Sequence, residues 1–154
     1  MQPPPWYADI ATPALLRHAR TTYGKAMRKA LDDAGFDDIP ANGLDVLGGL
    51  AHGVRGVPIG QLVHELSVTK QAAGQLVDTL VARGYLERTP DGKDRRQLLV
   101  TLTERGLAAA EVQAAARETI DDFLLDRLGA QKVEAMREGL AALIEARTKD
   151  FVPH

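Results

Sequence analysis

Cysteine is absent from the 154-residue chain, which removes disulfides, thiolate metal sites and thiol-based redox sensing together. Serine occurs once, at Ser67, and histidine only at positions 18, 52, 64 and 154, so no nucleophile–base constellation can be assembled. His64-Glu65 lacks the second histidine of a zinc-protease helix. Each histidine reads as a surface or helix-end residue, and neither enzymatic activity nor a cofactor is expected. No run approaches the roughly 20 apolar residues that a membrane span needs. The opening Met1-Gln2-Pro3-Pro4-Pro5-Trp6 has neither a basic start nor an apolar run, so a secretory signal is not expected. A cytoplasmic location without membrane contact follows as the expectation.

What is present is ordinary in amount and uneven in place. Hydrophobic residues make up 45% and charged residues 26%, a globular composition in a chain long enough for a real core. The net charge of −2 argues against an indiscriminate nucleic-acid binder. Basic and acidic residues number five and five over 1–40, one and two over 41–66, seven and five over 67–105, and six and nine over 106–154. Only the third segment is positive, as a phosphate-facing element requires.

Along the chain, the prolines at 3, 4 and 5 disfavour helix, and Trp6-Tyr7 forms either a packed anchor or a partner-seeking arm. From about Ala8 to Ala34 apolar residues recur at helical spacing (Leu15, Leu16, Ala19, Tyr23, Met27, Leu31), and Gly35 supplies a stop. Ile39-Pro40 leads into a second helix through Leu44, Leu47 and Ala51, ending near Gly53. Arg55-Gly56-Val57 suits a short strand. Pro58 then suits the start of a helix to about Leu66, with Ile59, Leu62, Val63 and Leu66 buried. Leu66 to Thr69 turn the chain into a further helix, which makes a helix-turn-helix.

The stretch from Leu66 to Leu102 organises the rest. Ala72, Ala73, Leu76, Val77, Leu80 and Val81 form a helical stripe, with Thr69 as its N-cap and Gly84 as its stop. Tyr85–Thr89 and Gln97–Leu102 are rich in strand formers and flank the turn Pro90-Asp91-Gly92-Lys93. A helix followed by a hairpin with basic residues at its tip is a winged helix. Thr103 then caps a helix to Leu128, about 39 Å long at 1.5 Å per residue. Gly129 breaks it, and Val133, Met136, Leu140 and Leu143 follow at coiled-coil spacing. The first and last helices hold too much apolar surface to stand alone, so packing against a second copy is expected.

Leu66-Ser67-Val68-Thr69, Leu76-Val77-Asp78, Ala82-Arg83-Gly84, Asp94-Arg95-Arg96 and Leu102-Thr103 stand together in order. In these pieces and their spacing the chain resembles the MarR family of bacterial transcriptional regulators, more loosely over nearly its whole length. The resemblance implies a mainly α fold with a small β-wing. A winged helix-turn-helix core at 39–102 would be flanked by dimerisation helices at 8–35 and 103–150. It further implies a homodimeric repressor of a pseudo-palindromic operator in double-stranded DNA, released by a small aromatic effector. The competing function is a winged helix that binds only protein, which would not need the wing arginine.

Thr69, Lys70, Gln71 and Gln75 lie on or near the face opposite the Leu76/Leu80 stripe. Gln71 and Gln75 can offer a donor and an acceptor to adenine, Lys70 can meet guanine or phosphate, and Ser67 suits a phosphate contact or a cap. The family often has a hydroxyl residue followed by arginine where this chain has Gly74-Gln75, which leaves base preference open. At the wing, the resemblance makes Arg96 the minor-groove arginine and Asp94 the carboxylate that positions it, with Lys93 and Arg95 on phosphates. The bland alternatives are a solvated helix face and a solvated hairpin tip. For an effector, Gly48-Gly49 could leave a cavity beside Tyr23 or could serve close helix packing.

Overall fold

A computed structural model describes residues 1–51, 57–58, 68–94 and 96–151. Its first helix, α1 (Thr12–Asp33), begins four residues later than the apolar spacing suggests, because of Pro13. Proline fits the first helical turn, where its missing amide has no acceptor to lose. Deeper in a helix its ring would strike the carbonyl four residues back. Trp6 to Asp9 form a turn instead, closed by the Ala8 amide on the Pro5 carbonyl at 2.9 Å. Gly35 ends α1 with φ +87°, and the amides of Gly35 and Phe36 donate back to the Asp32 and Leu31 carbonyls at 3.1 and 2.8 Å.

Helix α2 (Gly43–Ala51) starts at a glycine because a Cβ there would lie 2.7 Å from Ile39 Cγ2. It buries Leu44, Val46, Leu47 and Leu50. Strand β1 (Val57–Pro58) corrects the expectation that Pro58 opens a helix: Pro58 stands opposite Leu99 in an antiparallel pair. An edge strand tolerates a residue with no amide to donate. The expected helix through Ile59, Leu62, Val63 and Leu66, the strand residues Arg55 and Gly56, and the stop at Gly53 lie outside the described residues.

Helix α3 (Lys70–Ala82) is capped by Thr69, whose hydroxyl accepts the Ala72 amide at 3.1 Å. Ala73, Val77 and Leu80 are buried, while Ala72 is exposed. Gly84 (φ +84°) closes α3 in the manner of Gly35, with the amides of Gly84 and Tyr85 on the Val81 and Leu80 carbonyls at 3.0 and 2.9 Å. Strands β2 (Leu86–Pro90) and β3 (Leu98–Leu102) pair antiparallel from Leu86↔Leu102 to Pro90↔Leu98. Pro90 therefore ends a strand, and the turn begins at Asp91. The sheet order is β1-β3-β2, with β3 central.

Leu31, Leu47, Val77, Leu80, Tyr85, Leu86 and Val100 meet in one core that draws on α1, α2, α3 and the sheet. Helix α4 (Glu104–Leu128) adds Ala109 and is capped by Thr103, whose hydroxyl accepts the Gly106 amide at 3.0 Å. Gly129 (φ +83°) separates α4 from α5 (Ala130–Glu145), and one 3-10 turn, Ala146–Thr148, follows. The architecture is mainly helical with a small antiparallel wing. The chain forms two compact units, one of residues 1–117 and one beginning at Glu118. The first holds the core. In the second, α5 buries none of its residues. Among the described residues no helix is long and apolar enough to cross a membrane.

Candidate nucleic-acid interface

The core takes one side of α3 and leaves the other to solvent. With Ala73, Val77 and Leu80 turned inward, Lys70, Gln71 and Gln75 are exposed, as is the capping Thr69. The first-turn amides also point out of this end, so it offers positive partial charge beside a lysine and two amide side chains. A Cβ on Gly74 would meet nothing within 4 Å. The glycine is thus not demanded by packing.

The hairpin tip is folded by its own carboxylates. Asp91 Oδ1 accepts the Lys93 amide at 2.9 Å and Asp94 Oδ1 accepts the Arg96 amide at 3.0 Å. Asp94 thus places Arg96 through the backbone. Lys93, Asp94 and Arg96 are all exposed at the tip. Ser67 and Arg95 lie outside the described residues. Helix and wing are tied by Arg88 of β2, which donates to the Asp78 carboxylate on α3.

A second constellation sits at the other end of α3. Arg83, its C-cap, donates to the Asp38 carbonyl, and the Tyr85 hydroxyl donates to the Asp38 carboxylate. Arg105 Nη2 reaches the Tyr85 hydroxyl at 2.9 Å and Asp38 Oδ1 at 3.4 Å. The Arg105 guanidinium lies 4.6 Å from the Tyr85 ring centre and 5.4 Å from that of Phe36, and the two rings meet edge-on at 6.2 Å. The hydrogen bond from Tyr85, helped by the Arg105 and Arg83 charges, holds the Asp38 carboxyl below the ordinary carboxylate range against the opposing effect of burial. Burial, reinforced by the Asp38 carboxylate, pushes the Tyr85 hydroxyl up while Arg105 works the other way. Sequence reasoning missed Asp38, Tyr85 and Arg105 as a group, since no periodicity links positions so far apart.

The residues considered for an effector have different surroundings. A Cβ on Gly48 would lie 3.2 Å from Gln113 Nε2, which donates to the Leu44 carbonyl at 2.8 Å, so Gly48 serves close packing against α4. Gly49 is exposed, with nothing within 4 Å of a Cβ there, and Tyr23 is half-buried on α1. A cavity of about 210 Å³ does border α3, lined by Arg20, Asn42, Asp45, Val68, Ala72 and Leu76. Tyr23, Gly48 and Gly49 are not among its walls.

Known proteins resemble this arrangement. The family model described as MarR family matches residues 37–97. YwhA of Bacillus subtilis (strain 168), an HTH-type transcriptional regulator, is 29% identical over 136 residues, covering 85% of this chain and 94% of its own. The apo structure of MarR from E. coli shares 25% identity at a TM-score of 0.64, over 87% of this chain and 97% of that one. A MepR–DNA complex from S. aureus, 19% identical, shares the fold at a TM-score of 0.73 over 90% and 99% of the two chains.

Proposed function

We propose, from the match of residues 37–97 to the MarR family and the likeness to an HTH-type transcriptional regulator over most of the chain, that this protein is a winged-helix transcriptional regulator that binds operator DNA as a homodimer. The observation that carries this is the pairing of two exposed elements on one core. The capped start of α3 presents Lys70, Gln71 and Gln75, and the wing beside it presents Lys93 and Arg96. A helix of this kind enters the major groove by its amino end, where glutamine meets adenine and lysine meets guanine or phosphate. The wing then lies over the flanking minor groove, where an arginine responds to groove width. Asp94 acts by folding the turn that carries Arg96. Thr69 remains a cap first and a phosphate contact second, and in this proposal Ser67 and Arg95 take the phosphate contacts expected of them from sequence.

In this proposal residues 39–102 read DNA, while 8–35 and 103–150 hold the second copy. The exposed Met136, Leu140, Leu143 and Ile144 of α5 support the second half of it. Two recognition helices related by a twofold axis require a pseudo-palindrome with half-site centres about 10 base pairs apart. The protein works in the cytoplasm, catalyses nothing, and represses by occupying its operator. A small aromatic effector, if it releases the DNA, acts by occupancy, since no thiol is present. The cavity walled by Arg20, Asp45, Ala72 and Leu76, which touches α3 directly, supports such a site.

Selection of duplexes from a random pool, followed by gel shift on the winning sequence, tests the proposal. Gln71→Ala should relax preference at one base position by about 1–3 kcal/mol. Arg96→Ala should weaken binding and flatten its salt dependence, twice over because both copies contribute. Variants that bind selected and random duplexes like the parent would exclude this docking and favour a protein-binding wing.

A further inference from the structure

The two ends of α3 are held differently. At the start, Thr69 caps its own helix and so orders the first turn locally. At the end, three elements converge: the loop after α1, the residues closing α3, and the first turn of α4. Arg83 and Tyr85 both donate to Asp38, one to its carbonyl and one to its carboxylate. Arg105 donates to Tyr85 and Asp38 and covers the rings of Tyr85 and Phe36. Gly106 lets this happen, since any Cβ there would collide with the Tyr85 carbonyl. Thr103 closes the joint by receiving the Gly106 amide and donating to the Gly84 carbonyl.

Such a joint matters because α3 is a lever. Its 13 residues extend about 20 Å, so a tilt of about 5° at Gly84 carries the first turn through about 2 Å. Hydrogen bonds to base edges tolerate only a few tenths of an ångström. The buried stripe of Ala73, Val77 and Leu80 gives cohesion but little direction, because apolar contact is non-directional. Among the described residues the directional contacts are the Arg88–Asp78 ion pair along the helix and the cluster at its far end. There Arg105 donates to a hydroxyl that itself donates to a carboxylate, a chain in which each bond strengthens the next.

We propose that Asp38, Tyr85 and Arg105 form a clamp that sets the tilt of α3 against α1 and α4, and so the separation of the two recognition helices in the dimer. This rests on the DNA-binding homodimer above. None of the three touches DNA; they are positioning residues, and their effect is felt at the opposite end of the helix.

The lack of cysteine makes the test direct. Ala72→Cys places one nitroxide label per copy on the exposed first turn of α3, and pulsed electron resonance reads the distance between copies. With the clamp intact the distribution is narrow. Tyr85→Phe removes one oxygen and keeps the ring, and should broaden and shift it with the dimer intact. Its affinity for the duplex selected by the parent should fall about tenfold, the scale of one hydrogen bond to a charged group. Affinity for an unrelated duplex should stay constant. Asp38→Asn should act in the same direction, and where it folds poorly Tyr85→Phe decides alone. An unchanged distance with parental affinity overturns the clamp, as does an unchanged distance with lowered melting, which would mark a merely stabilising contact. A failed homodimer has its own signature: no intermolecular distance at all, or no duplex selected by the parent. In that case the clamp falls with the function it serves.

Discussion

Residues 1–117 and those from Glu118 onward are about equally supplied with apolar side chains at helical spacing, yet they use them differently. The first unit brings Leu31, Leu47, Leu80, Tyr85 and Val100 to complete burial. In the second, Phe123, Leu143 and Ile144 are each more than half exposed, at 58%, 54% and 61%. Amphipathic helices must bury their stripe against something. In the first unit the complement comes from the same chain, through the loop, strands and glycine caps that turn α2 and α3 onto the sheet. In the second these side chains stay exposed, and a second copy is the partner proposed above. On the homodimer proposed above, the same periodicity specifies a fold in one place and an assembly in the other.

The largest effect expected from breaking this contrast is Leu143→Glu. In the proposed dimer a charge buried on this surface costs several kcal/mol of association. Sedimentation should report a monomer, while the far-ultraviolet spectrum stays helical; a dimer of parental affinity would mean that this stripe is not the interface. Next in size is Leu80→Ala, expected to cost about 2–5 kcal/mol of stability because Leu80 is fully buried in the core. Urea denaturation checks it, and a cost below about 1 kcal/mol would mean that the core is loosely packed there.

A smaller effect depends on acidity. Asp38 has a carboxyl held below the ordinary range mainly by Tyr85. Its contribution is therefore complete above the pH at which a free aspartate ionises, and it is lost as pH falls through the depressed value. Urea midpoints of the parent and Asp38→Asn should differ near neutrality and converge in acid; a gap that stays constant with pH would remove the carboxylate from the account. The smallest change expected is a gain. Gly74→Ala lies on the open side of α3 with no neighbour within 4 Å, and should stabilise the protein by about 0.5–1 kcal/mol. Thermal melting that moves downward instead would show that the backbone at Gly74 needs its freedom.

The local devices were legible because each is written in adjacent residues. Thr69 and Thr103 cap the helices that follow them, and Gly35, Gly84 and Gly129 take positive φ where helices stop. The stripe of α3 and the hairpin were visible for the same reason, since periods of 3.6 and 2 need only a few consecutive side chains. Misplacements fell where a proline admits two roles. Pro13 permits a helix start just before it, Pro58 suits an edge strand as well as a first turn, and Pro90 ends a strand instead of opening the turn. The sequence also left Gly48 open between cavity and packing, and its close neighbour Gln113 lies 65 residues away, where no local pattern could point to it.

What the sequence by itself determined is thus most of the described elements, their caps, and the polar face that α3 and the wing present. The tertiary structure alone decided how those elements are joined. Asp38, Arg83, Tyr85 and Arg105 have no mutual spacing that marks them, and each alone reads as a solvated charge or a strand residue. They become one cluster because two helix ends closed by Gly35 and Gly84 set Phe36 and Tyr85 edge to edge, and a third helix without a Cβ at Gly106 closes onto them. Short-range periodicity is carried by the chain, whereas a contact between distant residues exists only once packing has fixed both of their backbones.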